Sequence, residues 1–231
     1  MKRIFLSLAF ALVLAQAQIP DTKQLIVVST KNWSTSSGTL QRYEQKHSQW
    51  QTVGKAIAIK LGRNGLGWGI GLHSIPKNAK IIKKEGDGKA PAGIFTLKQA
   101  FGYAPFPVKY PYKVYKKTDH CVDDVHSKLY NKIVDSKKVR IDYKSKEYMK
   151  FPKDYYKYGI VVNHNHIDEQ GAVKGAGSCI FIHIKKVPTA GCTVMTEDEM
   201  KEIIQWLDTK SNPLLIQGTQ KVVKTLLKKI N

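Results

Sequence analysis

Cysteine is scarce: Cys121, Cys179 and Cys192 are the only three in 231 residues. So small a set excludes a disulfide-dense miniature scaffold and any four-cysteine zinc or iron–sulfur framework. The count is odd, so an exported monomer keeps at least one thiol unpaired; whether Cys121 pairs with Cys179 is left open by the sequence. Acids are scarce as well. Eighteen Asp and Glu face 38 Lys and Arg, a formal charge of +20. Such a field attracts polyanions, but the basic residues are mostly dispersed lysines and no nucleic-acid-binding motif is present, so nucleic acid is not the expected partner. HExxH and its relatives are missing, and the glycine-rich stretch from Gly62 to Gly71 fits neither phosphate-loop nor dinucleotide spacing. No apolar run has the length of a membrane helix.

The longest apolar run, Ile4 to Leu14, follows Lys2 and Arg3 and precedes Ala15-Gln16-Ala17. A charged start, a short apolar stretch and a small-x-small site read as a secretory signal over 1–17. Its removal leaves 214 residues (231 minus 17) with a charge of +18, enough for one substantial core. The expected organisation is a domain over 18–217 and a basic amphipathic tail over 218–231. The expected location is the periplasm, where the abundant anions are cell-wall carboxylates and lipid headgroups.

Strand patterns occupy Gln24–Ser29, Arg42–Val53, Ala56–Lys60, Ile94–Leu97, Gly159–Asn163, Cys179–Ile184 and Leu214–Gln217. Thr196 with Glu199 is a capping box opening a helix, whose apolar face is Met200, Ile203, Ile204 and Leu207. Lys109–Lys157, rich in Lys and Tyr, reads as an extended surface excursion. The tail sets Val222, Val223, Leu226, Leu227 and Ile230 on one face; packing on the domain is the favoured reading, contact with a membrane surface the other.

The chemistry concentrates at the end of the second buried strand. His183 closes the run Cys179-Ile180-Phe181-Ile182, and Thr189-Ala190-Gly191-Cys192 follows after a short turn. A thiol nucleophile needs a base, and His183 stands on a rigid strand to supply one. Gly191 leaves the backbone beside Cys192 open to a substrate carbonyl, so the Gly191 and Cys192 N–H groups are the candidate oxyanion hole. Thr189 and Asn165 are candidate substrate contacts. An activated Cys192 is expected to react below the ordinary thiol pKa. Against this stand four other readings. His164, His166 and His183 could serve as zinc ligands in an amidase. Ser74-Ile75-Pro76-Lys77 has SxxK spacing, but with proline inside the required helix start and no KTG partner. Asp123 and Asp124 could act as acid and base, though adjacent side chains on an extended segment point apart. The protein could also bind the wall without chemistry, against which the presence of both His183 and Cys192 argues.

Four blocks together resemble the L,D-transpeptidase catalytic domain (YkuD) family, over about Asn64 to Gln217. They are Asn64-Gly65-Leu66-Gly67-Trp68-Gly69; Glu85-Gly86-Asp87-Gly88-Lys89-Ala90-Pro91-Ala92-Gly93-Ile94-Phe95; Cys121-Val122-Asp123-Asp124 with Ser127, Tyr130 and Asn131; and Ile180-Phe181-Ile182-His183 with Thr189-Ala190-Gly191-Cys192. The His-to-Cys separation is shorter than the family's usual one, Thr189 replaces a common Ser, and Ala90 a common Thr. The resemblance implies a mainly β (α+β) fold, a mixed β-sheet sandwich with one or two packed helices. It implies Cys192 as nucleophile, His183 as general base and acid, and no metal or other cofactor. The implied partners are peptidoglycan stem peptides. The reaction is attack on the amide between meso-diaminopimelate and terminal D-alanine, with a thioester on Cys192. An amine then makes a crosslink; water instead makes an L,D-carboxypeptidase.

Overall fold

The computed structural model describes residues 19–230; the expected signal segment lies outside them. Thirteen strands and two α-helices follow in order. Strands β1 (Gln24–Thr30), β2 (Ser37–Lys46) and β3 (Gln49–Lys60) form an antiparallel meander. Next come β4 (Leu66–Trp68), the long β5 (Ala90–Gly102) and β6 (Tyr112–Val114). A separate three-stranded sheet holds β7 (Asp119–Cys121) between β8 (Ile133–Asp135) and β9 (Glu147–Tyr148). The main sheet resumes with β10 (Tyr158–Val162), β11 (Phe181–Ile184) and β12 (Thr193–Met195). Helix α1 (Glu197–Trp206), β13 (Leu214–Thr219) and α2 (Gln220–Leu227) complete the chain.

The class is mainly β with two packed helices, as the sequence implies. The main sheet runs β10-β11-β12-β3-β2-β1-β13-β5, and its ends meet because β10 also pairs with β5. Closure removes the free edges that an open sheet would expose. β1 and β13 are parallel, as are β11 and β12, so the sheet is mixed.

Arg42–Val53 is not one strand. His47 and Ser48 turn the chain at φ 49° and 62°, between the paired Lys46 and Gln49. A two-residue hairpin with both φ positive usually announces itself by Asn-Gly, and His-Ser carries no such signal. Thr196 and Glu199 do form the capping box, with the Thr196 N–H donating to Glu199 Oε2 at 2.9 Å, and Met200, Ile203, Ile204 and Leu207 are buried.

The 109–157 stretch corrects the sequence reading. Tyr115, Cys121, Val122 and Met149 are fully buried there. With Phe101, Tyr156, Phe181, Cys179 and Cys192, the residues Tyr115, Cys121 and Met149 build a second apolar cluster beside the main core. The strands within 109–157 are only two or three residues long, too short to leave an alternation in the sequence, and the cluster's Tyr115 and Tyr156 bury their rings while their hydroxyls reach Gln99 and Glu147. At the other end, Val223 and Leu226 of α2 are buried against Leu25, Val27, Ile94, Leu214 and Ile216. The tail helix therefore packs on the barrel.

Candidate active site

Side chains alternate across β11. Ile182 enters the main core, while Phe181 and His183 face the second cluster. Tyr156, in a 3-10 turn over Asp154–Tyr156, lies edge-on to both, with ring centroids 5.5 Å from Phe181 and 4.8 Å from His183. Cys192 arrives in the same cluster because β12, which begins one residue later, pairs in parallel with β11. Its Sγ accepts the Phe181 N–H at 3.3 Å and lies 3.6 Å from the Cys179 carbonyl. Cys121 and Cys179 form a disulfide, leaving Cys192 as the free thiol.

Two carbonyl oxygens, of Tyr155 and Ile184, lie 3.1 Å from His183 Nδ1. Both can only accept, so Nδ1 carries the proton and Nε2 is left as the basic nitrogen. The orienting group is backbone, which no sequence pattern records. Burial holds His183 down at about 4. Burial and then the Glu147 carboxylate push the Cys192 thiol up to about 12, against smaller opposing effects from the Phe181 N–H, Lys83 and Lys185. The resting pair is thus a neutral thiol and a neutral imidazole. Cys192 is only 8% exposed, so in this state burial works against the ionised thiol that the sequence reading expects.

The loop before Cys192 is tied by Thr189. Its hydroxyl donates to the Cys192 carbonyl at 2.6 Å and accepts the Gly191 N–H at 3.0 Å. Thr189 is therefore a brace in this state, and the Gly191 N–H, expected to face an oxyanion, is engaged by it. The glycine-rich blocks pack around the same loop. Arg63 N–H donates to the Thr189 carbonyl and Thr189 N–H to that of Leu61. A Cβ on Gly62 would lie 2.5 Å from the Gly88 carbonyl and the Ala90 nitrogen, so only glycine lets these two segments touch. Asp87 knots the Gly86–Gly88 turn, accepting from the backbone of Lys84 and Lys89 and from the buried Lys83 ammonium, each at 2.8 Å. The Lys83 stem lies alongside Gly191.

Asn165 is not a cleft residue. It is fully buried, and its amide binds the Val173 and Gly177 carbonyls and the Val173 N–H, which exhausts its polar atoms on the 173–177 loop. Asn131 does similar work, accepting the Cys179 N–H and donating to the carbonyls of His164 and Asn165.

The three histidines of the zinc reading do not share a site. His164 packs on Phe95 and binds the Ala176 carbonyl, His166 is exposed beside Glu169, and His183 lies against Tyr156. Among the described residues no three His, Cys, Asp or Glu side chains gather as metal ligands. Ser74–Lys77 lies outside any helix. Asp124 caps the backbone of His126 and Lys144. Sequence reasoning missed Glu147, Tyr155 and Tyr156, since all three lie in the stretch read as surface. The one sequence signal was the tyrosine pair Tyr155-Tyr156, one residue before β10.

No curated protein matches the chain. The solved structure of Bdellovibrio bacteriovorus Bd1075 is similar at 13% identity and a TM-score of 0.42, over 92% of this chain and 58% of that one; the chain thus spans little more than half of that protein. The family model described as the L,D-transpeptidase catalytic domain (YkuD) matches residues 23–223, and the chain belongs to that family.

Proposed function

We propose that the protein is an exported cysteine acyl-transferase that acts on peptidoglycan stem peptides in the periplasm. The observation that carries this reading is a free thiol set against the face of β11 that bears His183, with the histidine's other nitrogen held by two carbonyls. As the Cys192 sulfur attacks the carbonyl between diaminopimelate and D-alanine, His183 Nε2 takes the thiol proton. The oxyanion falls to the Cys192 N–H, joined by the Gly191 N–H once Thr189 releases it. His183 then protonates the departing D-alanine amine, the C–N bond breaks, and a thioester remains. An amine from a second stem attacks that thioester, gives its proton to His183, and expels the thiolate, which recovers the proton.

The neutral resting pair suits this sequence, since the proton then moves from sulfur to imidazole only as the substrate carbonyl is attacked. The excess of lysine favours an anionic wall polymer over a neutral substrate. Mass spectrometry of purified muropeptides incubated with residues 18–231 tests the reading. Crosslinked dimers with loss of D-alanine are expected; tripeptides alone would assign an L,D-carboxypeptidase, and unchanged muropeptides would refute both. The Cys192→Ala protein should give unchanged muropeptides in every case.

A further inference from the structure

His183 Nδ1 rests on two carbonyls at 3.1 Å, that of its strand neighbour Ile184 and that of Tyr155, so whatever fixes the Asp154–Tyr156 turn fixes the one partner that comes from outside β11. The turn has no side-chain cap at its N-terminus. Two tyrosine hydroxyls hold it instead. Tyr103 Oη accepts the Tyr156 N–H at 3.2 Å and the Phe151 N–H at 3.1 Å. The Tyr156 hydroxyl donates to Glu147 Oε2 at 2.9 Å.

Glu147 is itself well anchored. It opens β9, where its register partner on β7 is Cys121, and Cys121 is bonded to Cys179. Cys179 in turn presents its carbonyl to the Cys192 sulfur. One continuous path therefore runs from the disulfide through Glu147 and the Tyr156 hydroxyl to the Tyr155 carbonyl and His183 Nδ1. A half-buried carboxylate is costly unless it is hydrogen-bonded, and Glu147 accepts the Tyr156 hydroxyl.

We propose that Glu147 is a positioning residue for His183, acting through the Tyr156 hydroxyl to hold the Tyr155 carbonyl against Nδ1 and so keep Nε2 free to take the thiol proton. This rests on the acyl-transfer reading for its catalytic consequence but not for its structural one. Without the tie, the turn is left to Tyr103 alone and Nδ1 keeps a firm hold only on the Ile184 carbonyl. Nδ1 then competes with Nε2 for the proton, and the wrong tautomer cannot act as base toward Cys192.

The tautomer can be read directly from the ring nitrogen shifts of His183 by NMR on residues 18–231. In the wild type the Nδ1–H form should dominate. Glu147→Ala and Tyr156→Phe should each bring in the Nε2–H form, while Glu147→Gln, which keeps an oxygen acceptor, should retain Nδ1–H. Tyr156→Phe preserves the ring packing, so the test survives if Glu147→Ala fails to fold. In stem tetrapeptide turnover, Glu147→Ala and Tyr156→Phe should each lower kcat at least about tenfold at nearly constant KM, and together no further than either alone. Unchanged Nδ1–H in folded Tyr156→Phe would overturn the proposal. Absence of turnover in the wild type would instead overturn the acyl-transfer reading and leave the tautomer comparison to decide this one.

Discussion

The neutral resting pair gives an unusual expectation for thiol chemistry. Only Cys192 is free, so iodoacetamide uptake reports on that sulfur alone, and Cys192→Ala is the blank. With the thiol pushed up to about 12, the thiolate at pH 7.5 is about 3 × 10⁻⁵ of the total, against about a tenth for an ordinary cysteine near 8.5. Thiolate fraction alone thus predicts alkylation about 3,000-fold slower than a free thiol. The greater nucleophilicity of a more basic thiolate returns about 25-fold, leaving a net slowing of roughly 100-fold. The logarithm of the rate should climb by one per pH unit from pH 6 to 10 without a plateau. Turnover should behave differently. His183, held at about 4, is already a base by pH 6, so kcat/KM should stay flat between about pH 6 and 9 rather than trace the bell of a titrating pair. Mass spectrometry of alkylated protein over a pH series checks the first half, and a turnover profile the second. A rate plateau below pH 8 would mean a thiolate–imidazolium pair and would refute the argument.

Other outcomes follow from the same structure. His73, His164 and His183 are buried, and burial lowers them to about 4, 3 and 4; each therefore stabilises the fold fully above about pH 6.5 and loses that contribution as pH falls toward the folded value, about 2 kcal/mol apiece by pH 5, and urea midpoints that do not drop between pH 8 and pH 5 would contradict it. Reducing Cys121–Cys179, which spans 58 residues, should cost about 4 kcal/mol on the chain-entropy scale, seen as a melting temperature lower by roughly 10 °C and a matching loss of turnover. Leu226→Ala on the buried face of α2 should cost about 2–4 kcal/mol and lower the melting temperature, whereas an unchanged melt with weaker vesicle binding would restore the membrane-surface reading of the tail. Thr189→Ala, which frees both the Gly191 N–H and the Cys192 carbonyl, should reduce kcat about tenfold through a loosened nucleophile loop while the fold melts almost as before.

What the sequence made legible is what repeats along it. Gln24–Thr30 and Leu214–Thr219 are apolar runs bounded by polar turns, and both are barrel strands. Thr196 and Glu199 announce α1 because a capping box is a contact three residues apart. Cys192 and His183 stood out because both chemistry and glycine context are local. The rest depended on long-range meetings. Glu147 and Tyr156 gain meaning only when β9 pairs with β7 and the turn folds back onto β11. Asn165 resembled a cleft residue because a polar side chain after a strand end is ambiguous until its partners, here on the 173–177 loop, are known. The neutral thiol was equally hidden, since burial rather than neighbouring residues in the chain sets its proton affinity.

The parallel pairing of β1 with β13 has a consequence for when the protein can fold. β1 begins at Gln24 and β13 ends at Thr219, so the barrel seam joins segments separated by nearly the entire chain. β13 also lies between β1 and β5, pairing with both. Until it emerges, β1 and β5 lack the strand that links them, and the apolar face of Leu25, Val27 and Ile94, which packs with Leu214, Ile216 and the α2 residues Val223 and Leu226, lacks those partners. Folding of such high contact order is slow and follows synthesis rather than accompanying it. A chain stopped at 210 should therefore be open and protease-sensitive, and the final twenty residues act as the clasp that commits the whole domain.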